Sequence, residues 1–151
     1  MSKIIAIDYG LKRVGIAISD QTSMIASPLT SVNISNIFVY LKEILKKEDI
    51  ISIVVGYPKG LDGKDTDITK ETQLFINKLS RIYPKIKVHT LDEMFTSKIA
   101  LRSMNQLNVK QKKRRKKELI NEISACIILQ EFLNNKLFFY IFFHYNCILI
   151  L

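Results

Sequence analysis

Two apolar runs of strand length, Ile4–Ile7 and Val14–Ile18, stand on either side of the hexapeptide Asp-Tyr-Gly-Leu-Lys-Arg at positions 8–13. Short β-branched runs separated by a Gly-bearing turn are the pattern of a hairpin, which predicts strands over residues 3–8 and 13–19. Asp8 closes the first of these strands. A carboxylate at the end of a buried strand is costly unless something positive meets it, so the residues that could meet it are the ones to look for.

The rest of the chain alternates helix and strand patterns. Residues 24–33 read as a third strand, with Pro28 marking an edge or a bulge. A helix follows from a cap at Ser35 or Asn36, its apolar residues Ile37, Val39, Tyr40, Leu41, Ile44 and Leu45 suited to packing on a sheet. The run "IISIVVGYP", residues 50–58, is a buried strand, and "PKGLDGKDTD" after it is a loop with two glycines. Residues 66–83 form a second amphipathic helix and residues 85–93 another strand. Residues 96–107 read as a short helix capped by Thr96 or Ser97, and residues 118–135 as a final helix. That order predicts one mixed α/β domain over residues 1–135, a central sheet flanked by helices. A length of 151 residues fits one domain with a sizeable core.

The formal net charge is +9, and it is local. "KQKKRRKK", Lys110–Lys117, holds seven basic residues in eight positions, which leaves +2 for everything else. Such a run is the footprint of a phosphate-binding surface, or else a solvated helix start. Cys126 and Cys147 belong to no Cys/His cluster, so neither zinc nor a disulfide framework is expected, and Cys126 reads as core. No signal peptide is expected, since strand-like sequence begins at Lys3, and the expected location is the cytoplasm. Residues 136–151 stand apart: 13 of the 15 residues from Leu137 to Leu151 are apolar and none is charged. The stretch is shorter than the roughly 17–25 residues a membrane span needs, and an accidental extension, a packed element and a membrane anchor all remain open readings.

Acids gather at strand ends: Asp8, Asp20, Asp92 and Glu93. Carboxylates that converge repel one another unless a cation lies between them, and hard oxygen donors favour Mg2+ or Mn2+. The plainer alternative is that each caps a turn, which accounts well enough for Asp20.

Four stretches together resemble the YqgF family, also called RuvX: "AIDYGLKRVGIAISD", "VVGYPKGLDGK", "HTLDEMFTS" and "NEISACIILQEFL". The resemblance covers about residues 3–133. It implies an RNase H-like fold, an α/β architecture with a five-stranded mixed sheet whose first three strands are antiparallel. It further implies a nuclease that binds divalent metal through acids and hydrolyses phosphodiester bonds in structured nucleic acid. The substrate it implies is pre-16S rRNA, processed at the 5′ end, with branched DNA of the Holliday junction type as the alternative. By that resemblance Asp8 is the first-strand aspartate and Glu93 the glutamate of an Asp-Glu-Arg motif whose arginine is Met94 here. Asn121 stands where the family carries a third acid, so an amide oxygen replaces a charged ligand. Asp92, Glu118 and Glu122 are weaker candidates for ligands; the favoured reading of Glu118 and Glu122 is as surface acids balancing the basic run. Lys12, Arg13, Lys59, Lys64, Lys112, Lys113, Arg114 and Arg115 are candidates for phosphate contacts. Tyr9, Tyr57 and Phe95 are candidates for base stacking or for packing. The expected assembly is a monomer or a homodimer. A nucleic-acid-binding module with weakened or lost catalysis is the competing reading, and a nucleotide phosphotransferase is set aside because such proteins need a second domain.

Overall fold

The computed structural model describes residues 2–58, 67–93 and 113–148. The elements are β1 (Lys3–Tyr9), β2 (Arg13–Ser19), β3 (Ala26–Asn33), a short 3-10 turn (Ile34–Asn36), α1 (Ile37–Lys47), β4 (Ile50–Pro58), α2 (Asp67–Ile82), β5 (Lys87–Glu93) and a helix α3 (Lys113–Ile148). The strands form one sheet in the order β3-β2-β1-β4-β5. β1, β2 and β3 pair antiparallel, and β4 and β5 join them in parallel with β1. This is the five-stranded mixed sheet, its first three strands antiparallel, that the family resemblance implies. Pro28 stands in the edge strand beside a register shift between Ile16 and Ala17, so it is both at an edge and at a bulge.

Alternation along each strand sorts side chains onto two faces. One face carries Ile5, Ile7, Val14, Ile16, Ile53 and Val55, all buried, under Ile37 and Leu41 of α1 and Phe75, Ile76 and Leu79 of α2. The other carries Ile4, Ala6, Ala17 and Val54 under Ala125, Ile128, Leu129 and Leu133 of α3. The second face is built from smaller residues, so the α3 backbone can lie close to the sheet. Tyr9 belongs to the first face and packs on Phe75 with ring centroids 4.7 Å apart. It is a packing residue, and Tyr57 also packs against that core.

Three element ends differ from expectation. Helical turns start at Ile34, capped by Asn33, whose side chain accepts a hydrogen bond from the Ser35 backbone N–H; Ser35 and Asn36 cap nothing with their side chains. α3 begins inside the basic run, at Lys113, because lysine and arginine are good helix formers. It also continues past Asn135 to Ile148, so the apolar stretch is a continuation of the last helix. The short helix expected over residues 96–107 lies outside the described residues.

Candidate active site

β1 places Asp8 in the row of Ile4 and Ala6, on the face covered by α3. Its register partner on β2 is Gly15, and the partner of Gly15 on β3 is Ser31. Asp8, Gly15 and Ser31 therefore form one line across three strands. Neighbouring strands lie about 4.8 Å apart, so the line is about 10 Å long. Asp8 is half-buried, and burial pushes its carboxyl from the ordinary 3.8 up to about 6. Among the described residues no hydrogen bond or ion pair reaches it.

α3 crosses this line at Asn121. Gly15 is buried, and a β-carbon there would collide with the Asn121 backbone carbonyl and come within 3.0 Å of the Asn121 Cβ. Only glycine lets the helix sit this low. The opposed positions 8 and 15 have Cβ sites about 5 Å apart, which puts the Cβ atoms of Asp8 and Asn121 within about 8 Å, close enough for one cation to touch both side chains. Glu122 lies over the other end of the line. Its carboxylate takes the Ser31 backbone N–H, and burial together with the Glu118 charge raises its pKa. Glu122 is thus turned toward the edge strand, on the far side of Gly15 from Asp8. Glu118, one turn earlier, pairs with Arg13 at 2.8 Å. Arg13 therefore ties the hairpin turn to the start of α3. Ser31 and Ser124 bury hydroxyl oxygens that find no partner among the described residues.

Glu93 is the last residue of β5, opposite Pro58 at the end of β4. Its position alternates with Leu91 and His89, whose row faces α3, since Leu91 packs with the α3 core and His89 against Phe132. β1 and β5 are both parallel to β4, so positions 8 and 93 stand at the same end and on the same face of the sheet. Asp92 pairs with Tyr57 and belongs to the opposite row. Asp20 makes a turn: its carboxylate accepts from the backbone of Met24 (2.8 Å) and Ile25 (3.0 Å) and from the Thr22 hydroxyl. Those bonds, the Ile25 one foremost, hold its pKa down to about 2. Lys12 is exposed in the hairpin turn. Lys113, Arg114 and Arg115 are in the first turn of α3. Lys59, Lys64, Met94, Phe95 and Lys112 lie outside the described residues. Among the described residues no group of three or more His, Cys, Asp or Glu side chains is placed to hold a metal ion.

Gly15 and Ser31 are the site residues that sequence reasoning passed over. The signal for Gly15 was its place in "RVGIAIS", a glycine in the middle of an otherwise β-branched strand, which marks a close approach of another backbone.

A family model described as "RuvX: Holliday junction resolvase" matches residues 2–135. A protein of Amoebophilus asiaticus named "Putative pre-16S rRNA nuclease" is 43% identical over 135 residues, covering 89% of this chain and 96% of the relative. One of Bacteroides thetaiotaomicron with the same name is 40% identical over 138 residues, covering 91% and 100%. Among solved structures, Thermus thermophilus RuvC in complex with Holliday junction substrate superposes with a TM-score of 0.54 at 13% identity, covering 89% of this chain and 96% of that one. That last likeness concerns the fold. The apolar stretch from residue 136 onward lies beyond the family match.

Proposed function

Because this chain belongs to the RuvX family, we propose that it is a nuclease that hydrolyses phosphodiester bonds in structured RNA, its step being 5′-end processing of pre-16S rRNA in the cytoplasm. The observation that supports this most directly is the half-buried Asp8 carboxyl, without a partner among the described residues, on the line where α3 packs onto Gly15. A carboxyl so placed fits a cation-binding corner. Asp8, Glu93 and Asn121 would hold Mg2+ or Mn2+, an all-oxygen donor set suited to hard cations. A bound divalent cation supplies charge stabilisation to the phosphoryl group under attack. Asp8 contributes the negative charge on β1, and its burial keeps water from screening that charge. Asn121 offers an amide oxygen and no charge, so the corner attracts the cation less strongly than three acids would. Lys12, with Lys59, Lys64 and the run Lys112–Arg115, positions the substrate through its phosphates without reading sequence. Arg13, held by Glu118, sets the hairpin turn beside Asp8.

The family's description as a Holliday junction resolvase favours branched DNA as a second substrate class. Purified protein is given Mg2+ with a precursor 16S rRNA fragment and, separately, a four-way DNA junction. Cleavage of the RNA, with Asp8→Asn slower by at least about 100-fold, is the expected result. Equal cleavage by Asp8→Asn overturns the site assignment, and cleavage of the junction alone favours the second substrate class. Asn121→Asp lowers the Mg2+ concentration needed for half-maximal cleavage. If neither wild type nor Asn121→Asp cuts either substrate, the chain is a binding module.

A further inference from the structure

The end of the sheet away from Asp8 carries two adjoining cavities. The first, of about 750 Å³, combines apolar Ile50, Ile86 and Phe132 with exposed Lys85, Lys87 and Lys136. The second, of about 390 Å³, shares Lys85 and Ile86 and adds exposed Lys42 and Lys46 beside Tyr83. No acid lines either cavity. Among the described residues the ion pairs are Lys3–Glu48 and Arg13–Glu118, so none of these five lysines is neutralised. The lysines come from α1, the α2–β5 turn, β5 and α3, and are brought together only by folding.

His89 reports the resulting potential. It lines the first cavity with its ring 5.1 Å from that of Phe132. Burial, Lys136 and Lys87 lower its pKa, so at neutral pH it presents a flat uncharged ring. An apolar and aromatic floor ringed by unpaired lysines complements one chemistry above others, a flat base attached to a phosphate. Lysine is a point charge that binds phosphate without reading base edges.

β5 connects this place to the acidic corner. Glu93 lies six positions after Lys87, about 20 Å along the strand. We propose that the basic end of the sheet is a second binding surface for single-stranded nucleic acid, engaging the substrate about 20 Å from the bond that is cut. Phosphates sit on Lys85, Lys87 and Lys136, and a base lies against Ile86 and Phe132. The identity of the ligand rests on the nuclease reading of the Asp8 corner.

The test is fluorescence anisotropy with a labelled 16-nucleotide single-stranded RNA in chelator, where no cleavage occurs. It compares full-length wild type, the triple variant Lys85→Gln/Lys87→Gln/Lys136→Gln, and a control, Lys47→Gln/Lys70→Gln/Arg81→Gln, that loses the same charge from exposed positions elsewhere. Each phosphate contact on a single strand contributes about 0.7 to the slope of log affinity against log salt. The triple variant therefore loses about 2 from that slope and binds about 10- to 100-fold more weakly at 0.1 M salt, while the control stays within about threefold of wild type. Unchanged affinity in the triple variant overturns the proposal, as does an equal loss in the control, which would make the effect one of net charge. Because binding is read without cleavage, a triple variant that binds weakly in a protein that cuts nothing would sink the nuclease reading and leave this surface standing.

Discussion

Burial raises the Asp8 carboxyl from 3.8 to about 6, so the folded chain binds that proton more tightly than the unfolded chain does. Between those two values the native state holds more protons, and stability falls as pH rises. The cost of ionised Asp8 is absent below about pH 4 and fully present above about pH 6. A shift of this size corresponds to at most about 3 kcal/mol. In chelator, Asp8→Asn should therefore be more stable than wild type by about 1–3 kcal/mol at pH 7.5, with the difference gone at pH 4; chemical denaturation at the two pH values reads it. Adding Mg2+ should raise the melting temperature of wild type more than that of Asp8→Asn, which keeps only Glu93 as a charged ligand for the cation. A melting temperature of Asp8→Asn below that of wild type at pH 7.5 would mean that Asp8 has a structural partner. The place of Asp8 was legible in the sequence, because period-two alternation from Ile4 fixes its row. The covering residue was not. Nothing local in "NEISAC" says that position 121 will rest on a glycine more than a hundred residues earlier.

At the scale of elements, the contact between α3 and the sheet decides both stability and the shape of the corner. Gly15→Ala puts a methyl group into the Asn121 backbone. The helix must lift, which by the usual cost of overpacking destabilises the fold by about 1–3 kcal/mol, and cleavage should fall further than stability does because positions 8 and 121 move apart. Thermal melts and initial rates on one preparation separate the two; full activity would show that the corner tolerates a lifted helix. The same helix covers the edge strand. Gln130 accepts from the Ala26 N–H (3.0 Å) and donates to the Met24 carbonyl (3.0 Å), Cys126 donates to the Ala26 carbonyl (3.3 Å), and Glu122 takes the Ser31 N–H. Edge strands with free backbone groups are templates for aggregation. Gln130→Ala removes two of these contacts, costs about 1–2 kcal/mol, and should raise light scattering on warming at temperatures where wild type stays clear. The strands and helices were legible as periodicities. The edge cover was not, because Glu122 and Gln130 look like ordinary polar surface and Cys126 like core until a strand edge lies under them.

Over the whole molecule, charge is divided in a way the linear sequence hides. The run Lys110–Lys117 is visible at once, and its removal leaves +2, as if the rest were nearly neutral. Folding nevertheless collects Lys42, Lys46, Lys85, Lys87 and Lys136 at one end and sets Asp8 and Glu93 at the other. Residues scattered singly along a chain carry no pattern, which is why the second basic surface needed the fold to be seen. The apolar stretch behaves differently again. Among the described residues Leu133 is the last of α3 in the buried core, and no helix among them is long and apolar enough to cross a membrane. A chain cut after Leu137 should melt within about 2 °C of full length by ordinary surface-change magnitudes, and sedimentation should show less self-association. A large loss of stability would instead make the stretch an integral part of the domain.

The order of the elements along the chain gives the contact on Gly15 a temporal meaning. All five strands precede α3, and during synthesis at about 5–20 residues per second the N-terminal parts emerge first. The hairpin that carries Asp8 and Gly15 is thus synthesised several seconds before Asn121. Until then the chain has one wall of the proposed metal corner and no helix to cover the β3 edge. The proposed corner and the cover of the strand edge are completed in the same event, the docking of the last helix.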